Sequence, residues 1–119
     1  MMRLAILGAL AALLLQPAVA AAHAFPQHAV PGAGAVLAQA PATVTIHFDA
    51  ELAPQASTLL VKDGRGVQVS EGRGHVDSHD AATIFTRLTT AARGVYHVYW
   101  AVTDRDGHHT RGDYTFTVK

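Results

Sequence analysis

Asp106, Gly107, His108 and His109 stand together near the C-terminus, between two runs of alternating apolar residues. A carboxylate and an imidazole two residues apart, with a glycine between them that bends without steric cost, can converge on one point. Such a pair can hold a metal ion. It is equally the composition of a plain polar turn, because Asp-Gly is a common turn dipeptide. Neighbouring side chains diverge, so His109 is read as a surface residue and not as a further ligand.

The opposite end of the chain supplies a second set of donors. Met1, Met2 and Arg3 precede an uncharged apolar run from Leu4 to Leu15, which leads through Gln16-Pro17 into the small-residue stretch "AVAAA". This is the pattern of a secretory signal peptide, and it is shorter than the roughly 20 apolar residues of a membrane span. Small residues permit cleavage after Ala20 or after Ala22. In the second case His23 becomes the N-terminus, and its α-amine and imidazole form a chelate that no internal histidine can offer. With Asp106 and His108 the set is three nitrogens and one oxygen, which suits tetragonal Cu(II) better than tetrahedral Zn(II). There is no cysteine, both methionines precede residue 3, and all eight histidines lie at or after His23. Imidazole is thus the softest ligand available, and the expected metal is oxidised copper.

Of the 119 residues, removal of the first 22 leaves 97, enough for one compact domain. The nine Lys and Arg, one of them Arg3, face nine Asp and Glu. A nearly neutral chain of this kind lacks the basic face that nucleic acid would require. Exported domains of this size often carry disulfides; without cysteine, stability must come from burial.

The elements that must position these residues are strands. "TVTIHF" sets Val44, Ile46 and Phe48 on one face and Thr43, Thr45 and His47 on the other, the period-two pattern of a half-buried strand. "TLLVKDGRGVQV" predicts a hairpin turning at Asp63-Gly64. "ATIFTRL" is a further strand, "GVYHVYWAV" aligns Tyr96, Val98, Trp100 and Val102 as an aromatic wall, and the last run aligns Tyr114, Phe116 and Val118. "PGAGAVLAQAPA", residues 31–42, is expected to be a loop with at most one helical turn. With an extended segment after His23 this gives about seven strands: an all-β, Greek-key barrel or sandwich of immunoglobulin-like or cupredoxin-like type. The Asp106-His108 turn then joins two core strands.

These features in order resemble the CopC family of periplasmic copper-resistance proteins. "HAFPQHAVPGAGAVLAQAPATVTIHF" has the family's initial His-Ala, a proline eight residues on, Gly-Ala-Val-Leu, and Pro-Ala before the first strong strand. "GVYHVYWAVTDRDGHHTRGDYTFTV" is similar to its Gly-x-Tyr-x-Val-x-Trp strand, its Asp-Gly-His signature, the glycine four residues later and the terminal Phe-x-Val strand. The resemblance implies a leader over residues 1–22 and a CopC-like domain over 23–119. It also implies one Cu(II) per chain held by His23, Asp106 and His108, with no catalysis, and a CopD-like inner-membrane copper transporter as partner. It favours cleavage after Ala22, and the absence of later methionines matches the Cu(II)-only members. Two departures stand out. Phe25 occupies a place where relatives carry a histidine, and Ala50 one where they carry a glutamate, which leaves open whether Asp49 or Glu51 assists the site.

The other histidines have plainer readings. His75 and His79 are placed in a solvated loop, His97 opposite the aromatic wall, and His28 either on the surface or close behind the metal ligands. "RGD" at residues 111–113 resembles an adhesion tripeptide but lies at a strand start. Two further classes of function share some of these features. A copper enzyme resembling the lytic polysaccharide monooxygenases would use a second histidine and a broad flat face; a metal-free immunoglobulin-like assembly domain would leave the histidines incidental.

Overall fold

The computed structural model describes residues 24–119; the leader expected over residues 1–22 and His23 lie outside the described residues. Eight strands follow in order: β1 (Pro26–Val30), β2 (Val36–Leu37), β3 (Thr43–Phe48), β4 (Thr58–Lys62), β5 (His75–Val76), β6 (Thr83–Arg87), β7 (Gly94–Thr103) and β8 (His109–Val118). They form two four-stranded sheets, ordered β1-β3-β6-β5 and β2-β8-β7-β4. Each sheet ends in open edges, so the molecule is a sandwich and the barrel alternative falls away. Among the described residues, no helix is long and apolar enough to cross a membrane.

The alternation read in the sequence is the alternation of burial. Val44, Ile46 and Phe48 of β3 face Tyr96, Val98 and Val102 of β7 and Phe116 and Val118 of β8, all at most 3% exposed. Each such side chain contributes on the order of 1.5–3 kcal/mol by leaving water, which is how a cysteine-free domain holds together. One ring contact joins the layers, Phe48 meeting Trp100 edge-on at 5.3 Å, and within the second sheet Tyr96 stacks on its strand partner Phe116 at 5.1 Å.

Three expectations are corrected by pairing. Residues 31–42 contain a strand, because Val36 and Leu37 run parallel to Thr117 and Val118; only the neighbouring strand makes two residues a strand. His75 is not in a loop but in β5, opposite Phe85. The hairpin after β4 turns at Asp63, whose carboxylate accepts the N–H groups of Arg65 and Val67. Its return arm, however, is a single bridge from Gln68 to Lys62 rather than a strand.

β7 and β8 are the longest strands and pair over their whole length, from Gly94 with Val118 to Thr103 with His109. Midway, Trp100 lies opposite Gly112, and a Cβ there would sit 2.5 Å from the indole Cζ2. The glycine four residues after His108 is therefore required by the tryptophan. The free end of this hairpin carries residues 104–108.

Candidate metal centre

Side-chain parity decides what the end of the hairpin presents. On β7 the even residues from Tyr96 to Val102 point into the sandwich, and continuing that count puts Asp104 on the inner side, where it is buried. On β8 the even residues from Thr110 to Val118 likewise face inward. Thr103 and His109 share the outer face and meet there, Thr103 Oγ1 lying 2.7 Å from His109 Nδ1. His109 is thus drawn away from its neighbour, as adjacent side chains on extended backbone must be.

The turn closes on itself. The Asp104 N–H donates to the His108 carbonyl at 2.9 Å, and the Gly107 N–H donates to the Asp104 carbonyl at 3.1 Å. Gly107 has φ of 88°, a left-handed conformation that a glycine adopts without penalty. Asp104 Oδ1 accepts the backbone N–H groups of both Asp106 and His108 at 2.9 Å. Its second oxygen, Oδ2, lies 3.1 Å from His108 Nδ1. Burial pushes the Asp104 carboxyl up, but the His108 N–H, the His108 ring and the Asp106 N–H outweigh it, so its pKa lies below the usual carboxylate value.

The result is a cluster of Asp104, Asp106 and His108 whose ligand atoms all lie within 4.8 Å of one another. Asp104 is buried, whereas Asp106 and His108 are exposed to an approaching ion. Two of the three residues expected from the sequence are therefore brought together. The third member, Asp104, was missed; extending the alternation of β7 by one step would have found it.

The first described residues are fastened beside this turn. Thr110 Oγ1 donates to the Ala24 carbonyl at 2.7 Å, across 86 residues of sequence, and Ala24 is fully buried. The Phe25 N–H donates to Asp49 Oδ1 at 2.7 Å, and the Asp49 N–H returns a bond to the Phe25 carbonyl at 3.0 Å. Asp49 therefore holds the N-terminal segment. Glu51 pairs with Arg105 at 3.0 Å on the surface, and Leu52 bridges to Asp104, tying residues 51–53 to the turn.

The remaining histidines lie elsewhere. His28 pairs in register with His47 on the outer face of the first sheet, where His47 Nδ1 meets Thr83 Oγ1 at 2.8 Å. His97 stacks on Tyr99 and lies 2.6 Å from Asp113. That contact places the aspartate of "RGD" within a paired strand. His75 packs near Phe85, and His79 is exposed.

Known proteins are similar to this chain in sequence and fold. The family model of the CopC domain matches residues 27–119. Protein YobA of Escherichia coli K12 is 30% identical over 99 residues, covering 82% of this chain and 80% of YobA. The crystal structure of CopC from Methylosinus trichosporium OB3b superimposes with a TM-score of 0.72 at 28% identity, covering 82% of this chain and 94% of that one. PcoC, a methionine-rich copper resistance protein from Escherichia coli, has the same fold with a TM-score of 0.66 at 24% identity, covering 82% and 100% of the two chains.

Proposed function

The chain belongs to the CopC family, and from that premise we propose that it is an exported Cu(II)-binding protein of copper resistance or homeostasis. It would be released into the periplasm by removal of residues 1–22, bind one Cu(II), and sequester it or pass it to a CopD-like membrane transporter. The ligands in this reading are the amine and ring of His23, the Asp106 carboxylate and the His108 imidazole.

The observation that carries the reading is the clustering of Asp106 and His108 at the hairpin end where Ala24, the residue after His23, is fixed by Thr110. A donor set of imidazole, amine and carboxylate is one that Cu(II) takes up readily, since it stands at the top of the divalent affinity order. In this role the protein's work is to keep the donors convergent before the ion arrives. From Ala24 onward the N-terminal segment is fastened twice, at Thr110 and at Asp49, and the turn is closed by its own hydrogen bonds, so little ordering of these parts remains to be done on binding.

The test is a competition titration of the mature protein with Cu(II), read by electron paramagnetic resonance. One equivalent bound with a tetragonal nitrogen and oxygen spectrum is expected. A protein carrying one extra alanine before His23 should bind far more weakly, because its amine can no longer close the chelate ring. Equal affinity of the two forms, or no stoichiometric copper, would overturn the assignment.

A further inference from the structure

We infer that Asp104 is a positioning residue that holds His108 in the Nδ1–H tautomer, so that its Nε2 is the nitrogen offered to Cu(II). This rests on the copper reading above for its consequence, but not for its evidence, which is the geometry of the apo turn.

A carboxylate can only accept, so the 3.1 Å contact between Asp104 Oδ2 and His108 Nδ1 requires the proton to be on the ring nitrogen. Asp104 cannot turn away to relax that demand, because its other oxygen is occupied by the N–H groups of Asp106 and His108. Nor can the ring leave without cost. The Asp104 side chain is only 3% exposed, against 45% for His108, and Oδ2 would be left charged and poorly hydrated. The lock is therefore asymmetric: the buried partner is fixed at both oxygens and dictates the state of the exposed one. A metal-bound imidazole whose other nitrogen donates to a carboxylate is also the better donor, since the hydrogen bond raises its basicity. Asp104 in this role touches the ligand and not the ion.

The arrangement suggests an isosteric test, D104N. The asparagine carbonyl oxygen stays where it accepts two backbone N–H groups, which places its amide nitrogen where Oδ2 had been. A donor now faces Nδ1, and the ring must carry its proton on Nε2, the atom that would otherwise meet the metal. Two-bond nitrogen–proton correlation spectra of the apo protein, taken well above the reference imidazole pKa of about 6.5, identify the tautomer directly. The wild type should show His108 as Nδ1–H and D104N should show it as Nε2–H, with Cu(II) affinity lowered by about tenfold to a hundredfold in a chelator competition.

An Nε2–H tautomer in the wild type would overturn the inference with no variant needed, which covers the case of D104N failing to fold. So would a folded D104N with wild-type affinity. If the wild type shows the Nδ1–H tautomer but binds no copper, the copper reading fails while the lock itself stands.

Discussion

Residues 75–80, "HVDSHD", and residues 104–109, "DRDGHH", each contain two histidines and two aspartates, yet only the second forms a cluster of ligand atoms. In the first, His75 is committed to β5 beside Phe85, Asp77 accepts the N–H of His79, and Asp80 accepts the Ala82 N–H and the Thr83 hydroxyl. The two aspartates there bond to nearby backbone and to side chains of the strands beside them, Thr83 and His47. In the second, Asp104 is buried at the end of a ten-residue strand and gathers the backbone and the ring of His108 around one carboxylate. The count of histidines and aspartates is the same; what differs is an anchor fixed by the core. A metal site needs that anchor, because ligands that must be ordered on binding lose part of their affinity to the ordering.

Four measurements would break or sharpen this contrast. The largest effect should come from the ligands themselves. D106A or H108A should lower Cu(II) affinity by about a hundredfold or more, beyond the effect usual for an outer-shell partner, with the apo protein still folded. H75A and H79A should change it by less than about twofold. A chelator competition on all four variants checks this, and a larger loss from the residue 75–80 pair would reverse the comparison.

Next comes the support beneath the turn. G112A drives a methyl group into the Trp100 ring and should destabilise the apo protein by about 1–3 kcal/mol, whereas S78A, on the exposed stretch, should stay within about 0.5 kcal/mol. Thermal unfolding of the metal-free proteins reads both.

A smaller effect is expected at the clasp. T110V keeps the shape of the side chain but removes the donor to the buried Ala24 residue's carbonyl, which should cost about 1 kcal/mol and loosen the N-terminal segment. Faster amide exchange at Ala24 and Phe25 would show it; unchanged exchange would mean that the clasp is incidental.

The smallest is a pH effect in residues 75–80. The Thr83 hydroxyl and the Ala82 N–H hold the Asp80 carboxyl below its ordinary value of 3.8. A carboxylate depressed in the folded state contributes stability that is present above the unfolded pKa and is lost as pH falls through the folded one. The difference in Tm between wild type and D80N should therefore close as pH falls below 3.8. A gap that persists in acid would mean that Asp80 acts through packing and not through its charge.

How much of this could be read from the sequence follows the same division between anchored and local structure. β3, β7 and β8 were legible because their apolar residues recur every second position, and that period is what one buried face demands. β2 and β5, two residues each, carry no period at all; they exist because Thr117–Val118 and Ile84–Phe85 offer them a backbone to pair with. In the site, Asp106 and His108 could be found from their types and spacing. Asp104 needed a different signal, the β7 alternation carried one step further, since its role depends on being inside and a charged residue at the end of a strand reads as the start of a loop. Asp49 and Glu51 were indistinguishable in sequence and are separated only by partners: one meets the Phe25 N–H, the other Arg105.

The bond from Thr110 to Ala24 joins the first described residue to the last strand. A chain made from its N-terminus carries Ala24 from the outset, but the surface that receives it is finished only when β8 has been made and has paired with β7. With the ligand set proposed above, no half-made product can therefore assemble the centre, because Ala24 meets Thr110 only once β8 has been made. The clasp is in this sense a seal on the finished sandwich, and under the proposed ligand set a nascent chain would offer the ion no complete home.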